Sequence, residues 1–270
     1  MTLALLGWNA ALVVALMTVL WLVSVSLRNA SIVDPWWSIA FLLVTAHTVA
    51  RTGWSPSKPL LLAMVATWAI RLWLHLLVRS IGKPEDPRYA AFRASYGPER
   101  YWWVSFFQVF LLQGVLVVLI SAPLQLSAAA GPEDPITPFD VAGLIVFTAG
   151  FMIEVLADAQ LQAFRRDPAR AGTVLDTGLW RWSRHPNYFG EALLWWGFWL
   201  CALDQPFGWA TLPAPALMTF LLLRVSGVTM LDAHLSSTKP GYAEYVRRTS
   251  GFLPRRRRPP HAPAPGGSGI

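Results

Sequence analysis

The chain has 270 residues, 54% of them hydrophobic and only 14% charged, with 15 tryptophans and a formal net charge of +7. Soluble domains carry charge at about a quarter of their positions. Long apolar runs between short polar loops instead specify an all-α polytopic membrane protein, because lipid forces each spanning backbone to satisfy its own hydrogen bonds. The single cysteine, Cys201, excludes a disulfide framework or a cysteine metal cluster within one chain, and the basic residues flank apolar runs, which fits membrane topology and lipid contact and not nucleic acid.

The first run, 2–27, has no basic segment before it and is long enough to span, so it reads as a retained helix and not a signal peptide. Windows of about twenty apolar residues give seven transmembrane helices, at 2–27, 35–50, 58–78, 104–127, 139–156, 187–203 and 209–231. The second is short for a crossing, and extending it back through Asp34 puts a carboxylate inside. With the N-terminus outside, eighteen of the 22 Lys and Arg residues fall on the cytoplasmic side, together with the C-terminus. The expected organisation is one membrane domain over 1–254 and a disordered basic, Pro- and Gly-rich tail over 255–270. The loop GKPEDPRYAAFRASYGPERYWW is expected to form either an ordered lid or an interfacial helix.

Polar residues recur where lipid should be. In FMIEVLADAQLQAFRRDP, Glu154, Asp158, Gln162 and Arg165 share one helical stripe. The stripe lines a cavity, or forms a salt-bridge ladder, such as Glu154 or Asp158 with a buried Arg224. In GLWRWSRHPNYFGEALLWWG, Pro186 suits a first helical turn, and Asn187, Glu191 and Trp195 share a face below it. The N–H groups of that turn, beside Arg181, Arg184 and His185, offer an anion site suited to phosphate. Tyr242, Tyr245 and the arginines after them either sandwich a purine or anchor the interface. Asp34 either caps the second helix or donates a proton. No ligand spacing for a metal occurs, nor does a GxGxxG or P-loop motif.

The runs LADAQLQAFRR, GLWRWSRHPNYFGEALLWWG and PGYAEYVRRTSGFLP, with Arg224, resemble the DUF1295 branch of the steroid 5-alpha-reductase superfamily, most specifically from 153 to 254. The resemblance implies a seven-helix reductase that binds NADPH in a cytoplasm-facing cavity and reduces an activated carbon-carbon double bond in a lipophilic substrate. It implies a cofactor-binding half at about 139–254 and cofactor contacts at Asp158, Gln162, Arg165, Arg181, Arg184, His185, Asn187, Tyr188, Glu191, Arg224, Tyr242, Tyr245 and Arg248, with Glu154 near the nicotinamide and Asp34 or Glu154 handling a proton. The branch implies a bacterial inner membrane. Gln162 stands where the family has arginine, Asp232 where it has tyrosine, and the Gln-Glu pair of steroid reductases is absent from the second helix, which counts against a steroid substrate. RHPNYFGEALLWWG is also similar to the pattern of integral-membrane methyltransferases of the isoprenylcysteine and phospholipid kind, which bind S-adenosylmethionine. Those enzymes carry a glutamate pair where this chain reads MLDAHLSS, so the reductase is the expectation. A non-catalytic lipid binder is the third class left open.

Overall fold

Thr2 starts the first helix, α1 (Leu3–Leu27), by accepting the Leu5 N–H on its side chain at 3.3 Å. The computed structural model describes residues 2–225, 232, 235 and 239–257. These form two compact units, one of residues 1–145 and 196–216, the other of 146–195 and 217–270. The described residues are helical or irregular, and five helices among them are long and apolar enough to cross a membrane. The protein is accordingly a multi-pass membrane protein in class.

In the first unit, α1 is apolar all round and buries Leu5, Asn9, Val13, Met17, Leu20 and Ser24, a stripe of mostly four-residue steps. The helix ends on Arg28 in the left-handed conformation, φ 50 and ψ 38, with its N–H bonded to the carbonyls of Ser24 and Val25. Helices α2 (Val33–Thr52) and α3 (Lys58–Ser80) form a close pair. Their turn is tied by the buried Lys58, whose ammonium donates to Thr52 Oγ1 at 3.0 Å and the Gly53 carbonyl at 2.7 Å. The chain then makes α4 (Pro87–Tyr96) and α5 (Pro98–Ser105), which passes through a π-helical turn, 106–111, into α6 (Leu112–Ile120) and then α7 (Ala122–Ala128). A polar knot locks α1, α2 and α7: Asn9 Nδ2 donates to Thr48 Oγ1 at 2.9 Å and to Gln125 Oε1 at 2.8 Å, and Asn9 Oδ1 lies 2.6 Å from His47 Nδ1.

The expected second span lengthens as foreseen, through Asp34 to Val33. Asp34 does not cap it, because the N-cap position falls on Ile32 with no side-chain bond, and the carboxylate is engaged elsewhere. The fourth span is displaced from 104–127 to Pro98–Ile120. Its end comes at Ser121, two residues before Pro123, whose missing N–H restarts the chain as α7. The loop after α3 becomes α4 and α5, with Tyr89 buried.

Three further helices belong partly to each unit. Helix α8 (Pro138–Arg166) has 29 residues, about 43 Å at 1.5 Å per residue. That exceeds a hydrocarbon core of about 30 Å, so part of the helix runs beyond it. Helix α9 (Pro186–Ala202) starts at the proline as the sequence indicates, and α10 (Pro213–Phe220) continues into a π-helical turn, 221–225. Residues 226–231 of the expected seventh span lie outside the described residues. A last helix, α11 (Tyr242–Arg248), precedes an extended segment.

Candidate functional site

Within the second unit, α8 and α9 meet at two glycines. A Cβ on Gly190 would lie 2.6 Å from the Glu154 nitrogen and the Gly150 carbonyl oxygen, and one on Gly150 would lie 2.5 Å from the Leu194 nitrogen. Only hydrogen fits at this crossing. The approach brings the acidic stripe of α8 beside the polar face of α9. Glu154, Asp158 and Glu191 are all buried there. Asn187 Nδ2 donates to Asp158 Oδ1 at 3.1 Å, and Trp195 Nε1 donates to Glu191 Oε1 at 3.0 Å. The Asn187 Oδ1 atom is buried and accepts no hydrogen bond among the described residues. An orphaned acceptor beside three buried carboxylates suits a ligand that presents amide N–H or hydroxyl groups.

Asp232 organises the loop before α9. Its Oδ2 accepts from Arg184 Nη2 at 2.7 Å, and its Oδ1 accepts from Tyr242 Oη at 2.6 Å, His185 Nε2 at 3.1 Å and Arg184 Nε at 3.3 Å. Burial alone would raise this carboxyl, but the bonds from His185, Arg184 and Tyr242 outweigh it and hold Asp232 well below the usual carboxylate range. Tyr242 moves the other way, pushed up by burial and by its bond to the carboxylate.

The segment after α11 completes the clamp. Arg184 Nη1 donates to the carbonyls of Val246 at 2.9 Å and Thr249 at 2.7 Å, and the Arg184 N–H donates to the Ser250 carbonyl at 2.8 Å. Ser183 Oγ bonds the Phe252 carbonyl at 2.7 Å, and Tyr245 Oη donates to the Trp180 carbonyl at 2.6 Å. Arg255 N–H reaches the Trp182 carbonyl at 2.9 Å, and Arg257 pairs with Asp176 at 2.6 Å. The first residues of the expected tail are therefore ordered against this loop, while 258–270 lie outside the described residues.

The sequence-derived residues thus divide by environment. Glu154, Asp158, Asn187 and Glu191 share the α8–α9 contact. Arg184, His185 and Tyr242 converge on Asp232 and are not open to a phosphate as expected. Tyr188 stacks its ring on His185 with centroids 5.6 Å apart, and Tyr245 braces the loop. Gln162, Arg165 and Arg181 are exposed, Arg248 lies 3.9 Å from Glu244, and Arg224 is exposed on its π-turn instead of buried.

Asp34 belongs to the first unit. It accepts Tyr89 Oη at 2.6 Å and Arg88 Nη2 at 3.2 Å, and Gln113 Nε2 donates to the same tyrosine oxygen at 3.2 Å. Burial and the neighbouring carboxylate push Tyr89 far above the ordinary tyrosine range, so it stays a donor. The sequence carries no signal that singles out Tyr89 within its Tyr- and Arg-bearing loop.

A helical membrane bundle with buried carboxylates and a half-buried amide clustered on two touching helices is the class that fold and site define. The chain belongs to the DUF1295 family, described as a protein family of unknown function, whose profile matches residues 20–249. It is 27% identical over 265 residues to the uncharacterized protein C594.04c of Schizosaccharomyces pombe, covering 88% of this chain and 76% of that one. A shorter stretch of 73 residues is 32% identical to the probable O-methyltransferase ustE of Ustilaginoidea virens, covering 27% of this chain and 26% of that protein. No solved structure matches the chain.

Proposed function

We propose that this protein is an NADPH-dependent reductase of the carbon-carbon double bond in a lipophilic enone, built as seven crossings with its C-terminus in the cytoplasm. The observation that carries the reading is the group of buried Glu154, Asp158 and Glu191 around the half-buried Asn187 and its orphaned, buried Oδ1. An acceptor in that position suits a carboxamide N–H, and the carboxylates of Asp158 and Glu191 suit ribose hydroxyls. The exposed arginines 165, 181 and 224 are assigned to the phosphates. When bound, the cofactor supplies the hydride for the β-carbon of the enone. The chain's own part is to orient, to exclude water and to hold a proton for the α-carbon, a role assigned to Glu154.

One observation favours a second reading, methyl transfer from S-adenosylmethionine. Arg184 is ion-paired with Asp232, which also accepts from His185, while three carboxylates gather at the α8–α9 contact. That charge pattern suits a cationic ligand, and the short likeness to a probable O-methyltransferase agrees with it. Calorimetric titration of the full chain in detergent, first with NADPH and then with S-adenosylmethionine, separates the two. The reductase reading expects NADPH binding that weakens about tenfold in Glu191→Gln and in Asn187→Ala, the cost of one hydrogen bond to a buried group. Binding of the methyl donor alone replaces it with methyl transfer, and binding of neither removes both.

A further inference from the structure

The first unit contains a cavity of about 450 Å3 that the proposed chemistry does not use, lined by Ser24, Val25, Arg28, Ala30, Tyr101 and Trp102, with Arg93 at its side. We propose that this cavity binds the phosphate head of an anionic membrane lipid, with Arg28 and Tyr101 supplying the hydrogen bonds.

Arg28 ends α1 in the left-handed region, a conformation that glycine adopts freely and a long side chain adopts only at a cost. Such outliers persist where the side chain has a task. The Arg28 guanidinium is exposed and has no ion pair or hydrogen bond among the described residues. Tyr101, only 1% exposed, contributes a buried hydroxyl that likewise has no partner among them. A buried donor without an acceptor is a standing deficit, which a ligand oxygen would remove. Arg93 stacks over the Tyr101 ring at 4.5 Å and holds it in place. Its own charge is matched by Glu85, which accepts two bonds of 2.9 Å from it and the Ala30 N–H at 2.7 Å. The cavity's uncompensated positive charge is therefore that of Arg28.

The other walls identify the source of the oxyanion. Val25, Ala30 and Trp102 are apolar, and Trp102 stacks on Trp21 with centroids 6.2 Å apart while accepting its indole N–H on the backbone at 2.7 Å. Tryptophans in this setting sit at headgroup level. The cavity also lies where α1 ends and α2 and α5 begin, the end of the first unit that carries Arg79, Lys83 and Arg100. Inorganic phosphate would satisfy Arg28 and Tyr101 but leave the apolar wall uncovered, whereas a lipid covers both.

The test is native mass spectrometry of the full chain in detergent, titrated with short-chain phosphatidylglycerol, short-chain phosphatidylcholine or inorganic phosphate. One phosphatidylglycerol should bind about tenfold more tightly than phosphatidylcholine, and inorganic phosphate at equal concentration should not displace it. Tyr101→Phe removes a hydroxyl that bonds nothing in the fold, so its melting temperature should be kept or raised while phosphatidylglycerol affinity falls about fivefold or more. Arg28→Gly suits the left-handed turn and should likewise keep the melting temperature while affinity falls about tenfold. Equal binding of the two lipids, displacement by inorganic phosphate, or wild-type affinity in either variant overturns the proposal. NADPH titration is independent of all three outcomes.

Discussion

Replacing Asp232 by Asn keeps the side chain's size and removes its charge, so it isolates the clamp around the loop before α9. Two carboxylate oxygens receive four hydrogen bonds, from Arg184, His185 and Tyr242. Asn offers one oxygen and turns an N–H2 group toward donors, so either the 2.7 Å bond from Arg184 Nη2 or the 2.6 Å bond from Tyr242 is lost. Breaking a buried ion pair from one side costs about 3–5 kcal/mol. Arg184 Nη1 keeps its carbonyl acceptors on Val246 and Thr249, so we expect the lower end, about 3 kcal/mol, or about a hundredfold in the opening equilibrium. Amide hydrogen exchange in detergent reads this as protection factors over 180–185 and 246–255. Factors within about threefold of wild type, where about a hundredfold is expected, would refute the clamp as a source of stability.

The same carboxylate sets a pH dependence. Its folded value is depressed, so its contribution is fully present above the ordinary carboxylate range, near pH 4, and is lost as pH falls through the folded value; the exchange difference between wild type and Asp232→Asn should therefore shrink below about pH 4. In Gly190→Ala the new Cβ meets backbone of Gly150 and Glu154 at 2.6 Å, and parting the helices should cost about 1–3 kcal/mol or more, seen as a lower melting temperature; an unchanged one would mean the crossing is looser than described. Tyr89→Phe takes away the hydroxyl that bonds Asp34 and Gln113 and should destabilise by about 1–3 kcal/mol in thermal unfolding, because it leaves Asp34 short of a donor. No change in melting temperature would show the pair to be dispensable to the fold.

What the sequence made legible is local. The stripe at Glu154, Asp158 and Gln162 follows helical periodicity, and Pro186 marks the start of α9, so both elements and the contact of Asp158 with Asn187 were within reach. Asp232 could be noted only as an unusual residue, since its partners Arg184 and His185 lie 48 and 47 positions away and such pairings leave no periodic trace. Tyr89 and Asp34 meet across 55 positions for the same reason. The displaced fourth span has a different cause. Hydropathy does not register the break at Ser121, but Pro123 does, and giving it more weight would have moved the boundary. The exposure of Arg224 turns on a π-helical turn, 221–225, which widens the helix and redirects side chains without any composition signal.

The bonds from Trp182, Ser183 and Arg184 to residues 250–255 also bear on how the protein is made. The ribosome releases the loop before the residues that pin it, so Arg184 and His185 stay unsatisfied until Asp232 and the carbonyls of Val246 and Thr249 have emerged. A chain cut short after Thr249 would keep the bonds of Arg184 to Asp232, Val246 and Thr249 and lose those to residues 250–255, so its loop would close yet open more readily.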